Sequence, residues 1–179
     1  MRSILFMLML ISSMAASATT ISFDLHPAVT GSGNGASLEY EGAVFTITNP
    51  GNEPSSFIAD SSLRWCPDCS MSMELSSGNT FAMSSIDVAF FGPEPATVTI
   101  TGILLGGGIV ETTYSGPSFG TFETVVLGTS WTGLESIQFV TDVSSATIIN
   151  NLVISAVPIP AAVWLFGSAL AGLGWMRRR

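Results

Sequence analysis

In Thr97-Val98-Thr99-Ile100-Thr101 every second residue is apolar and the others are threonines. A period of two sends one kind of side chain to each face of a strand, and it does not fit the 3.6-residue repeat of an amphipathic helix. The same phase recurs in Val44–Thr48, where Phe45 and Ile47 fall together, and in Ser136–Val140, with Ile137 and Phe139. It recurs again in Ala146–Ser155, where Ala146, Ile148, Leu152 and Ile154 are in step and Asn150 breaks the run. Glycine and proline clusters stand between the runs: Asn49-Pro50-Gly51-Asn52, Gly92-Pro93-Glu94-Pro95, Gly106-Gly107-Gly108 and Gly116-Pro117. Glycine supplies positive φ and proline presets a turn, so these are loops. About nine or ten short strands with such punctuation predict an all-β, two-layer β-sandwich over residues 19–156.

The two ends of the chain follow different rules. Arg2, the apolar run Ile4–Ile11 and Ala16-Ser17-Ala18 have the order of a secretory signal peptide over residues 1–18. The small residues Ala16 and Ala18 suit the signal peptidase pocket, which predicts a mature chain from Thr19. At the other end, residues 161–176 carry no charge. As a helix they would cover roughly 24 Å, close to the hydrocarbon thickness of a bilayer. Arg177, Arg178 and Arg179 follow, and each would cost about 2.5–3.5 kcal/mol at mid-membrane. They read as a stop-transfer cluster that stays cytoplasmic, leaving the domain outside. Pro158 and Pro160 precede the span and hold residues 156–160 extended, a shape that a membrane-embedded protease can grip.

Proline motif, single transmembrane helix and arginine cluster together resemble the PEP-CTERM sorting domain over residues 157–179. Val157-Pro158-Ile159-Pro160-Ala161 is most similar to its Val-Pro-Leu-Pro-Ala variant, with Ile159 where the commoner form has glutamate. The resemblance implies an exosortase as processing partner, beside signal peptidase. It implies a Gram-negative host, an inner-membrane intermediate, and release to the cell surface or an extracellular polysaccharide matrix such as a biofilm. The second half of the domain also resembles the jelly-roll-like domains often seen ahead of this signal, through Thr97–Gly108, Phe119–Leu127, Leu134–Val140 and Ile148–Ile154.

Charge and the reactive residues narrow the chemistry. The chain has no lysine, and Arg64 is the one basic residue between 19 and 156, against all thirteen acids, a net of −12. Such a surface repels phosphate backbones and argues against nucleic acid. It suits a soluble exported module, and it also suits a structural calcium ion, with no other cofactor implied. Trp65-Cys66-Pro67-Asp68-Cys69 matches a thioredoxin-type redox motif, but neither a following helix nor a βαβ pattern surrounds it. In an oxidising compartment, Cys66 and Cys69 read instead as a small structural disulfide. A zinc site has too few ligands, and a Ser–His nucleophile would have to rely on His26, the only histidine. Tyr114 and Trp131, both near loops, are the candidate rings for stacking on a sugar. These observations predict a non-enzymatic structural or carbohydrate-binding component of exopolysaccharide. The alternative is an exported polysaccharide-active hydrolase, with a thiol oxidoreductase behind it. Among the many carboxylates no catalytic pair is singled out.

Overall fold

Twelve strands follow one another with no helix among the described residues: β1 (Ala18–Ile21), β2 (Ser37–Tyr40), β3 (Ala43–Thr48), β4 (Ile58–Ala59), β5 (Ser62–Trp65), β6 (Ser70–Leu75), β7 (Phe81–Phe91), β8 (Ala96–Leu104), β9 (Ile109–Gly116), β10 (Glu123–Val126), β11 (Leu134–Thr141) and β12 (Ala146–Ala156). The structure is a computed structural model that describes residues 17–23, 35–48, 58–59, 62–67, 69–92, 95–117, 119, 121–142 and 145–156. Ala16, the motif Val157–Ala161, the apolar span and Arg177–Arg179 lie outside them, as does His26. No helix among the described residues is long and apolar enough to cross a membrane.

Every strand pairing is antiparallel. One layer runs β2-β3-β6-β11-β8-β9. The other runs β10-β7-β12-β5-β4, with β1 beside β5 along the same edge of β12. A single pair, Leu134 opposite Phe81, links the layers. Taken alone, the eight strands β5 to β12 lie in the orders 1-8-3-6 and 2-7-4-5, which is the winding of a jelly roll. The sandwich expected from the alternation is present.

Its core forms because the alternating positions all turn inward. From the first layer come Phe45, Ile47, Met71, Met73, Val98, Ile100, Ile137 and Phe139, and from the second Leu63, Trp65, Ile86, Val88, Phe90, Ile149, Leu152 and Ile154, all buried. Burying each such side chain contributes about 1.5–3 kcal/mol before entropy is counted. In the first layer the outward positions between them are mostly threonine, serine and glutamate, with Val44 among them, so that sheet keeps one wet face.

Twelve strands exceed the expected nine or ten because several lack clean alternation. The central β7 is the clearest case. Its inward residues run Phe81, Met83 and then Ile86, Val88, Phe90, a slip of one position at Ser84-Ser85. The pairing with β12 shifts at the same place, between Asn150 and Val153 and again before Ile154. A bulge adds one residue to one strand and moves the pattern out of phase. Asn150, the break visible in the sequence, is the pivot: its Oδ1 accepts from Phe23 N at 3.0 Å and Asn151 N at 2.8 Å. Asn151 then takes φ 46°, a left-handed conformation that asparagine tolerates better than most residues.

Candidate functional site

The outer face of the β5-β12-β7-β10 layer gathers the surface rings. Phe91 closes β7 and is 46% exposed, and Phe119, in the loop before β10, is 64% exposed. Their rings meet edge to face with centroids 5.0 Å apart. Arg64 reaches from β5 across β12, and its guanidinium carbon lies 4.7 Å from the Phe91 centroid. The only cation of residues 19–156 is thus fixed on an aromatic face. Phe119 has φ 47°. For a bulky residue this is an outlier costing about 1–3 kcal/mol, of the kind that clusters at ligand-binding positions.

Four residues back along β7, on the same face and roughly 13 Å away, stands Asp87. Its carboxylate accepts from Thr124 Oγ1 at 2.5 Å and from Asn151 Nδ2 at 2.8 Å. Three strands contribute to that cluster, and the bulge at Asn150-Asn151 aims the amide at Asp87. The face therefore combines apolar rings, a planar cation and a row of oriented polar groups. Rings offer an apolar platform to C–H surfaces, while amide, hydroxyl and carboxylate groups exchange hydrogen bonds with hydroxyls. The arrangement suits a polyhydroxylated ligand lying along the sheet.

The ring candidates named from sequence fall elsewhere. Trp131 is 4% exposed and belongs to the core, which corrects the expectation that it stacks on a sugar. It packs at Gly102, where an added Cβ would come within 2.6 Å of Leu134 and 3.1 Å of the indole. The missing side chain on β8 makes the room into which Trp131 sinks. Tyr114 faces inward from the edge strand β9 and stacks on Phe90, with centroids 5.7 Å apart and planes at 9°. Its hydroxyl lies 2.9 Å from where a Cβ on Gly116 would stand, so the ring covers a glycine gap at the sheet edge. The phenol donates to Glu123 on the opposite layer, and burial, that hydrogen bond and the carboxylate's charge raise its pKa above the usual 10.0. Tyr114 clamps the two layers together and offers one face at most.

Cys66 and Cys69 are joined in a disulfide with Cα atoms 5.4 Å apart, and both are buried, at 6% and 1% exposed. The turn is closed by Cys69 N donating to Cys66 O. Neighbouring Trp65 is fully buried against Phe139, and among the described residues its Nε1 has no hydrogen-bond acceptor. Sulfurs held this deep are shielded from exchange with another thiol.

On the outside of the first layer a concavity of about 510 Å³ is lined by Glu39, Val44, Glu74, Leu75, Ser76, Gly78 and Glu135. Among the described residues no group of three or more acids, histidines or cysteines is placed to hold a metal ion.

Sequence reasoning passed over Phe91, Phe119, Arg64 and Asp87. Phe91 stands next to an inward Phe90, and nothing in the Phe90-Phe91 pair says which ring faces water. The Arg64–Phe91 and Asp87–Asn151 contacts join distant strands and leave no local pattern.

No family model matches the chain, and no curated protein matches it by sequence. Some solved structures are loosely similar to it. A variant of a family 29 carbohydrate-binding module is 16% identical and aligns over 78% of this chain and 92% of its own, with a TM-score of 0.44. An exo-beta-agarase is 13% identical over 79% of this chain but only 25% of the enzyme, also at 0.44. A family 61 module in complex with beta-1,4-galactotriose is 9% identical over 75% and 92%, at 0.28. Every one of these TM-scores lies below 0.5, and no function is carried across such loose likenesses.

Proposed function

We propose that the chain is an exported, membrane-sorted surface protein whose outer β5-β12-β7-β10 face binds polysaccharide. The observation that carries the binding reading is the exposed Phe91–Phe119 pair, with Arg64 clamped on it and Asp87, Asn151 and Thr124 further along the same sheet. A sandwich has no structural need for two large exposed rings with one in a strained conformation, and such patches on soluble domains mark binding surfaces. Full-length chain on an array of bacterial exopolysaccharides should bind at least one. The double variant Phe91→Ala, Phe119→Ala should lose that binding while keeping its thermal midpoint. Equal binding by both chains would remove this face from consideration.

The sorting part of the proposal rests on the sequence of residues 157–179. Signal peptidase trims after Ala18, the apolar segment 161–176 halts in the inner membrane, and an exosortase acts at the Val157–Ala161 motif. Mass spectrometry of material from the host should recover chains that end near that motif. Recovery of intact Arg177–Arg179 alone would leave a plain membrane anchor.

A hydrolytic reading has one observation in its favour, the three glutamates around the concavity of the first layer. Release of reducing ends from exopolysaccharide, abolished by Glu74→Gln, would establish it.

A further inference from the structure

The turn between β8 and β9 is apolar where a turn is expected to be polar. Leu105 is 68% exposed and Ile109 is 67% exposed, and the nine residues Gly102–Val110 carry no charge. Gly106 and Gly107 have φ of 93° and 91°, a left-handed pair that only glycine enters without strain. The tip is also held firmly. Leu104 N donates to Gly108 O at 2.8 Å, Gly107 N to Leu104 O at 2.9 Å, and Leu105 N to Gly133 O at 2.9 Å. A rigid tip thus presents two branched aliphatic side chains to solvent.

Strand register places this tip. Ala156 pairs with Phe81, Phe81 with Leu134, and Leu134 with Leu104. These four residues form one row across four neighbouring strands, about 14 Å wide. β8 and β12 both run outward through that row, so the tip and the last residues of the domain leave at the same end. β1 enters there as well, since Thr19 pairs with Ile154. Five residues after Ala156 the uncharged stretch 161–176 begins. Extended chain of that length reaches at most about 17 Å.

We infer that Leu105 and Ile109 form a lipid-contacting finger that dips into the headgroup boundary of the membrane holding the C-terminal segment. This rests on the reading that residues 161–176 span that membrane. Two aliphatic side chains would bind a bilayer feebly from free solution. On a tether this short the encounter is intramolecular, with an effective concentration on the order of millimolar, and a feeble contact is then populated. Tether and finger give two points of attachment.

The test uses the mature chain, residues 19–179, reconstituted in phosphatidylcholine vesicles. Both native cysteines are joined to each other, so Leu105→Cys or Val140→Cys supplies the single free thiol for an environment-sensitive dye. Val140 is 43% exposed and lies six residues from Leu134 along β11, about 20 Å from the row. The dye at 105 should shift to the blue and lose more than half its emission to headgroup-proximal spin-labelled lipid, while the dye at 140 stays as in water. Identical behaviour at both positions would overturn the inference. So would a blue shift at 105 without lipid quenching, which places the finger against protein instead. In unlabelled chain, amide exchange of residues 105–109 should slow several-fold in vesicles relative to Leu105→Ser, Ile109→Ser, and an unchanged rate would also overturn it. Failure of the chain to float with vesicles at all refutes the membrane-span reading instead, a result distinct from the others.

Discussion

The two ends of the sandwich are built from the same alternating strands and carry opposite chemistry. At the end where β7 finishes, the exposed side chains are aromatic, and a cation lies on one of them. At the end where β7 begins, the exposed side chains are aliphatic, the hairpin tip is uncharged, and both described chain ends emerge. Aromatic rings with an arginine suit a ligand that is part apolar and part polar. Branched aliphatics on a stiff, uncharged tip suit lipid. The division follows from strand direction: antiparallel strands put hairpins and termini at both ends, and each end is free to diverge while the middle is held by the core.

Trp131 lies toward the end where β7 begins and gives the harshest test of the contrast. Trp131→Ala should cost about 3–5 kcal/mol in stability, as for other large core aromatics, yet leave polysaccharide affinity of the folded fraction unchanged. Loss of affinity with normal stability would break the division. Denaturant unfolding together with a binding isotherm decides it. Reaching the same region from the other side, Gly102→Val should overpack Leu134 and Trp131 and cost about 1–3 kcal/mol. Removing the disulfide by Cys66→Ser with Cys69→Ser should cost roughly 2 kcal/mol in the chain-entropy model, without change in binding. Phe91→Ala alone should weaken polysaccharide binding about tenfold, equivalent to 1.4 kcal/mol, with a stability change near zero by thermal melt.

The smallest effect concerns pH. The Tyr114 phenol is held neutral above its ordinary range, so the clamp is fully present below pH 10 and lost as pH rises through the elevated value. In Glu123→Gln the phenolate should appear at lower pH in a spectrophotometric titration. Coincident curves would show that Glu123 does not hold it.

Part of this was legible in the chain itself. Val98 and Ile100, Phe45 and Ile47, and Ile137 and Phe139 are core residues, as their alternation predicts. The break at Asn150 marks a true bulge. Two cysteines three apart in a chain read as exported, with no helix or βαβ pattern around them, were enough to expect the bond that Cys66 and Cys69 form. The rings were misassigned for a definite reason. Trp131 beside Thr132-Gly133 has the look of a loop aromatic, and it is the glycine on a different strand, Gly102, that lets it sink. Phe91 was passed over because adjacent strand residues face opposite ways and nothing local says which of Phe90 and Phe91 is the outward one.

Local periodicity determined the strands, because a side chain's face depends only on its own backbone and its neighbours two places away. The jelly-roll order, the row from Ala156 to Leu104 and the joining of Arg64 to Phe91 were decided by tertiary structure alone. Each depends on which strand lies alongside, and that choice is made by burying the whole core at once rather than by any short stretch of residues.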